Sequence, residues 1–274
     1  MKTSLLALVK TVVIGAFLLG SVTSALAATT LSLYSRDQTY IVSSDQINSN
    51  DGNTPYDQTN FYGKGAMMIS ANVADPGENM APRTMQALFN FITDGSSPTV
   101  GTSTSYVTNP LVSLNVKAAF DAIYGAGNWA ITNVNLILPS NWYVQGVQPN
   151  NPDFNVVASG QFTMNVLGSD PDVTAQTWNI FQNFLASTTA TSVGTQTWTA
   201  DPVGTTDNTG SEPTQTYTLT DPGNVLIPRL ISGQGGQTNR VTFFGVAADG
   251  QVGYVFNTKN RIPPRLDITA DVIQ

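Results

Sequence analysis

The chain has 274 residues, with 11 basic and 18 acidic side chains, a formal charge of −7, no cysteine and no histidine. An acidic chain without basic runs lacks the Lys/Arg patches that nucleic-acid backbones and anionic membrane surfaces demand. The missing His and Cys exclude Ser-His-Asp and Cys-His catalytic pairs, zinc sites of the usual kind, disulfides and C-x-x-C-H haem attachment.

Residues 1–27 read as a secretory signal. Lys2 and Lys10 make a basic start, residues 12–19 a short apolar core, and Ala25-Leu26-Ala27 an A-x-A cleavage site. The apolar run falls short of the roughly 20 residues a membrane-spanning helix needs. The expected mature chain is residues 28–274, a single domain, secreted or on the cell surface. Loss of Lys2 and Lys10 takes its charge from −7 to −9. Without disulfides it must be held by an ordinary hydrophobic core, and its length suffices for one.

From there period-2 alternation dominates, the mark of strands. Residues 30–34 and 66–71 are weaker candidates. Residues 85–92 are apolar on both faces and read as a central strand. Residues 113–124 break the pattern: Leu114, Val116, Ala119, Phe120 and Ile123 fall at helical intervals, with Ser113 as cap and Gly125 as stop. In 133–138, Val134, Leu136 and Leu138 face one way; in 161–166, Phe162, Met164 and Val166 do. Residues 178–185 allow one or two helical turns. Further strand candidates are 195–199, 215–220, 241–246 and 253–256. In the last segment Leu266, Ile268, Ala270 and Val272 alternate with Arg265, Asp267, Thr269 and Asp271, so one face is wet. Nine or ten strands between Gly/Pro/Asn/Asp turns predict an all-β β-sandwich, jelly-roll-like and similar to carbohydrate-binding modules, with one or two short helices. Residues 44–60 and 199–212 read as surface loops. The chain ends just behind the last strand with no apolar tail or polybasic anchor, so release or non-covalent retention is expected.

Four places invite chemistry. Gly125-Ala126-Gly127-Asn128-Trp129-Ala130 matches G-x-G-x-x-A, but a helix precedes it and a strand follows, the reverse of a dinucleotide site. It reads as a helix stop and turn. Asp170 and Asp172 are the nearest carboxylate pair for glycosidic hydrolysis, yet Asp-Pro is an ordinary turn. Asp45, Asn48, Asn50, Asp51, Asn53 and Asp57 form an oxygen-rich loop without EF-hand spacing, either a calcium site or a solvated Asx-turn loop. Tyr106, Trp142, Tyr143 and Trp198 are aromatics near polar turns, either ligand platforms that stack on sugars or core side chains.

Three stretches carry a family resemblance. One is Tyr40-Ile41-Val42-Ser43-Ser44 with its Asn/Gly loop, then residues 85–91 after Arg83. The second is residues 118–129, containing Gly-Ala-Gly-Asn-Trp, and the strand 131–138. The third is Val252-Gly253-Tyr254-Val255-Phe256-Asn257 followed by Pro263-Pro264-Arg265-Leu266-Asp267-Ile268-Thr269. Together they resemble the secreted bacterial DNRLRE-type domains associated with PEP-CTERM surface-sorted proteins. The resemblance covers most of the mature chain and implies a sandwich with a role in adhesion, matrix assembly or glycan contact. It carries over no catalytic residue. The expected function is a non-catalytic extracellular protein that binds a glycan or a matrix or cell-surface partner. The alternatives are a polysaccharide-degrading glycosidase or lyase and a structural surface-assembly subunit.

Overall fold

A computed structural model describes residues 27–48, 52–63, 66–75, 80–96, 111–139, 159–199, 214–232, 240–250, 253–257 and 263–273. Within them the strands are β1 (Thr29–Tyr34), β2 (Asp37–Ser43), β3 (Ala66–Asp75), β4 (Met80–Ile92), β5 (Trp129–Pro139), β6 (Ser159–Leu167), β7 (Ala190–Thr199), β8 (Thr214–Thr218), β9 (Arg240–Ala247), β10 (Gly253–Asn257) and β11 (Arg265–Val272). The helices are α1 (Val116–Tyr124), α2 (Trp178–Leu185) and α3 (Leu226–Ser232). The fold is an all-β sandwich of two antiparallel sheets. One has four strands in the order β1-β11-β5-β8. The other has seven, in the order β10-β3-β4-β9-β6-β7 with β2 alongside β4.

The alternation read from the sequence sets the inner faces. Leu266, Ile268 and Ala270 of β11 are fully buried, as are Leu136 and Leu138 of β5 and Phe162, Met164 and Val166 of β6. They meet Ala87, Phe89 and Phe91 of β4 and Phe243 of β9 in the inter-sheet core. Phe89 stacks on Phe243 with centroids 5.8 Å apart, and Phe91 meets the same ring edge-on at 5.7 Å. Each of the buried Leu, Ile, Val, Met and Phe side chains contributes about 1.5–3 kcal/mol of transfer free energy. β1 and β11, the first and last strands described, pair along their length from Thr29↔Ala270 to Tyr34↔Arg265.

β4 and β9 are apolar on both faces because both faces are covered. Their outward Leu88 and Phe244 join Ile41 and Leu167 beneath α2, whose Phe181 ring lies 5.0 Å from Phe244. Thr177 caps α2 by accepting from Ile180 N–H. Gly245 of β9 leaves room for side chains of β3 and β6: a Cβ there would come within 2.6 Å of Ile69 Cδ1 and 3.2 Å of Met164 Cε, both fully buried side chains.

The helix predicted over 113–124 starts later. Asn115, not Ser113, is the cap, its side chain accepting from Ala118 N–H, while Ser113 is drawn into a bridge with Ile92. Gly125 ends it with φ +86° and Gly127 turns the chain at φ +78° into β5, the helix-stop-and-turn reading of the Gly-rich hexapeptide. α3 was not singled out by the sequence reading. Asp221 fixes its start, accepting N–H bonds from Val225, Leu226 and Ile227 at 2.6–3.0 Å. One margin of the sandwich is closed by side chains. The Gln215 amide accepts from Thr199 N–H at 3.1 Å and donates to Thr199 O at 2.7 Å, and Gln196 donates to Thr218 O.

Candidate functional site

Most polar positions of β1, β11, β5 and β8 fall on the outer face of the four-stranded sheet, Thr29 and Gln215 being in the inward phase opposite Ala270 and Leu138. Their registers line them up in rows. Ser32, Asp267, Asn135 and Thr218 form one row; Thr30, Thr269 and Asn133 the next; Tyr34, Arg265, Ile137 and Thr216 a third. Neighbours in a row stand about 4.8 Å apart, and rows about 6.6 Å apart along the strands. Thr30, Ser32, Thr216 and Thr218 are exposed; Tyr34, Asn133, Asn135, Arg265, Asp267 and Thr269 are half-buried.

The side chains hold one another in place. Ser32 Oγ donates to Asp267 Oδ1 at 2.6 Å, and Arg265 grips the same carboxylate through Nε (2.8 Å) and Nη2 (2.9 Å). Thr218 donates to Asn135 Oδ1 at 2.9 Å, and the Thr30 and Thr269 hydroxyls share a bond of 2.8 Å. The Arg265 guanidinium lies 5.8 Å from the Tyr34 ring centroid, a cation–π contact at the edge of the patch. With the Asp267 carboxylate taken up by Ser32 and Arg265, the face offers amide and hydroxyl groups able to donate and accept, and the Arg265–Asp267 ion pair is internally neutral. Planar amide, carboxylate and guanidinium groups beside hydroxyls suit a ligand rich in vicinal hydroxyls.

The residues singled out from the sequence are placed as follows. Trp198 is a correction: it is fully buried in the inter-sheet core and cannot be an exposed platform. β7 turns Val193 and Trp198 inward across the bulge opposite Met164 and Asn165, leaving its hydroxyls outside. Tyr106, Trp142 and Tyr143 lie outside the described residues, as do Asn50 and Asp51 of the oxygen-rich loop. In the rest of that loop Asp45 and Asn53 are exposed and Asn48 is buried, its Nδ2 3.5 Å from Thr59 Oγ1. Asp57 Oδ2 accepts from Asn179 Nδ2 of α2 at 3.1 Å. Backbone bonds close the loop: Asn48 N–H to Thr54 O, Tyr56 N–H to Gln46 O and Asp57 N–H to Ser44 O. Among the described residues no group of three or more His, Cys, Asp or Glu side chains gathers to hold a metal ion.

The Asp170/Asp172 pair is engaged in structure. Asp170 is buried against Arg229 and accepts from Thr242 Oγ1 at 2.7 Å; burial pushes its carboxyl up, opposed by the Arg229 charge and the Thr242 hydroxyl. Asp172 caps the short 3-10 turn Val173–Ala175 through Thr174 N–H. The sheet-face residues were missed because each looks like an ordinary solvent-facing strand position; the signal was that the polar phases of four strands share one face. Among the described residues no helix is long and apolar enough to cross a membrane.

A scan against protein-family models finds no match to this chain, and a search of curated proteins finds none either. The class the fold defines is an all-β, cysteine-free sandwich.

Proposed function

We propose that this is a non-catalytic extracellular protein that binds a glycan, as a component of matrix or cell surface, through the outer face of its four-stranded sheet. The observation that carries the reading is the row Ser32–Asp267–Asn135–Thr218: hydroxyl, carboxylate and amide groups joined by hydrogen bonds, with Ser32 and Thr218 exposed and Asp267 and Asn135 half-buried. Rigid polar groups lose little freedom on binding, and bridging water extends their reach. The signal-like leader and the resemblance to DNRLRE-type domains support export and the extracellular setting. The engagement of Asp170 with Arg229 supports a non-catalytic reading, since it removes one member of the nearest carboxylate pair from any role in hydrolysis.

The test is a glycan array and a pull-down against the producing cell's own exopolysaccharide, with wild type and with Asn135→Leu and Thr218→Val. Saturable binding lost in both variants, with melting unchanged, is the expected result. Binding unaffected by either change removes the sheet face from the reading, and hydrolysis of a polysaccharide removes the non-catalytic assignment.

A further inference from the structure

A concave site lies where α1, the start of β5 and α3 converge. It is a cleft of about 350 Å³. Ile131 of β5 and Ile227 and Ile231 of α3 supply its apolar lining, and all three are only half-buried. The Trp129 ring forms another wall, set against Phe120 with centroids 4.9 Å apart. Its indole N–H donates to Asp121 Oδ1 at 2.9 Å, so the ring's polar edge is satisfied and its remaining surface is apolar. Lys117, one helical turn before Asp121, pairs with Oδ2 of the same carboxylate at the mouth.

We infer that this cleft binds a small neutral amphiphile, with an apolar body in the cleft and an uncharged hydroxyl or carbonyl head at the Lys117–Asp121 mouth. The space is at the lower end of the range for small-molecule sites, about 300–1,000 Å³, which suits a short alkyl chain or a single ring. Covering three half-exposed isoleucines and an indole is favourable, and the walls are set before the ligand arrives. The head is uncharged because the mouth already holds one positive and one negative group against each other. An incoming carboxylate would face Asp121, and an ammonium would face Lys117. Lys117 keeps ammonium N–H groups beyond the one bonded to Asp121, which suits an oxygen acceptor on the head.

Titration calorimetry with 1-octanol, octanoate and octylamine at equal concentration tests this. One saturable site for 1-octanol is expected, with both charged analogues weaker. Ala130→Phe adds bulk from an exposed position lining the cleft, and Ile227→Asn makes its lining polar; each is expected to weaken octanol binding by at least about tenfold. Melting curves and circular dichroism verify that the variants are folded, and if one is not, the other carries the test. Absence of saturable octanol binding overturns the inference. So does undiminished binding by a folded variant, or tighter binding of either charged analogue.

Discussion

The buried pair of Arg229 and Asp170 gives the sharpest test of how the described elements are tied together. Arg229 projects from α3 with 3% of its side chain exposed, and Asp170, just beyond β6, has 1%. The guanidinium also donates to Gly168 O at 2.8 Å and to Arg240 O at 3.1 Å, while Thr93 of the segment after β4 donates to the Arg229 carbonyl. Replacing Arg229 with Met leaves an ionised carboxylate in the interior with Thr242 Oγ1 as its remaining side-chain donor. Breaking one partner of such a pair costs about 3–5 kcal/mol, or roughly 6–20 °C in melting temperature for a domain of this size. The double variant Arg229→Met/Asp170→Leu buries no unpaired charge and is expected to melt above the Arg229→Met single, although Gly168 O and Arg240 O lose a donor. The defect of the single variant also depends on pH. Without the guanidinium, burial acts on Asp170 with less opposition and its carboxyl titrates further above the ordinary value. A raised carboxyl costs stability that sets in above its unfolded value and is complete above its folded value, so the gap to wild type narrows as the pH is lowered. Thermal melting of the four proteins of this cycle from pH 7 down to pH 4 reads both effects. A double variant no more stable than the Arg229→Met single, with a gap that ignores pH, refutes the argument.

Three further outcomes are expected. Leu266→Asp places a carboxylate in the inter-sheet core and destabilises by several kcal/mol, on the order of the penalty for a buried unpaired group, whereas Asp267→Asn loosens a half-exposed pair and costs about 1 kcal/mol or less. Equal shifts in denaturant midpoint would mean that the register of β11 is wrong by one residue, since such a slip exchanges the faces. Gly245→Val forces a side chain against Ile69 and Met164 and lowers stability by about 1–3 kcal/mol in chemical denaturation, and a neutral effect would mean that β9 and β3 are not so close. Bonds from Lys117 and from the Trp129 indole hold the Asp121 carboxyl below its ordinary value of 3.8. The Lys117–Asp121–Trp129 contact therefore persists above that lowered value and opens only as the pH falls through it. The indole N–H resonance of Trp129 is expected to move with a midpoint below 3.8, and a midpoint at or above 3.8 would contradict the contact.

Much of the framework could be read directly from residue order. A strand with one wet face repeats every two residues, so the inward positions of β5, β6 and β11 were visible as Val134/Leu136/Leu138, Phe162/Met164/Val166 and Leu266/Ile268/Ala270. Tyr40–Ser43 was not legible from periodicity, because β2 is apolar or polar without strict alternation. α3 was not legible: it is seven residues long, and Asp221 stabilises it through contacts that only a folded turn assembles. The start of α1 moved from Ser113 to Asn115 because a bridge to Ile92 outbids a cap that local sequence would permit.

The candidate site divides the same way. Sequence alone could establish that catalytic histidine and cysteine chemistry is absent, that the chain is acidic, and that several strands carry hydroxyl and amide side chains on one phase, because these follow from composition and from the two-residue repeat of a strand. It could not tell a buried aromatic from an exposed one at Trp198, since both occur beside polar residues and the β7 bulge decides which way the ring turns. Nor could it bring Ser32, Asn135, Thr218 and Asp267 into one row. Those residues are separated by up to 235 positions, and only the antiparallel pairing of β1, β11, β5 and β8 sets them side by side. Strand alternation is a local property of the chain; strand order and register are fixed by the shared core between the sheets, and that is where the tertiary structure decided the site.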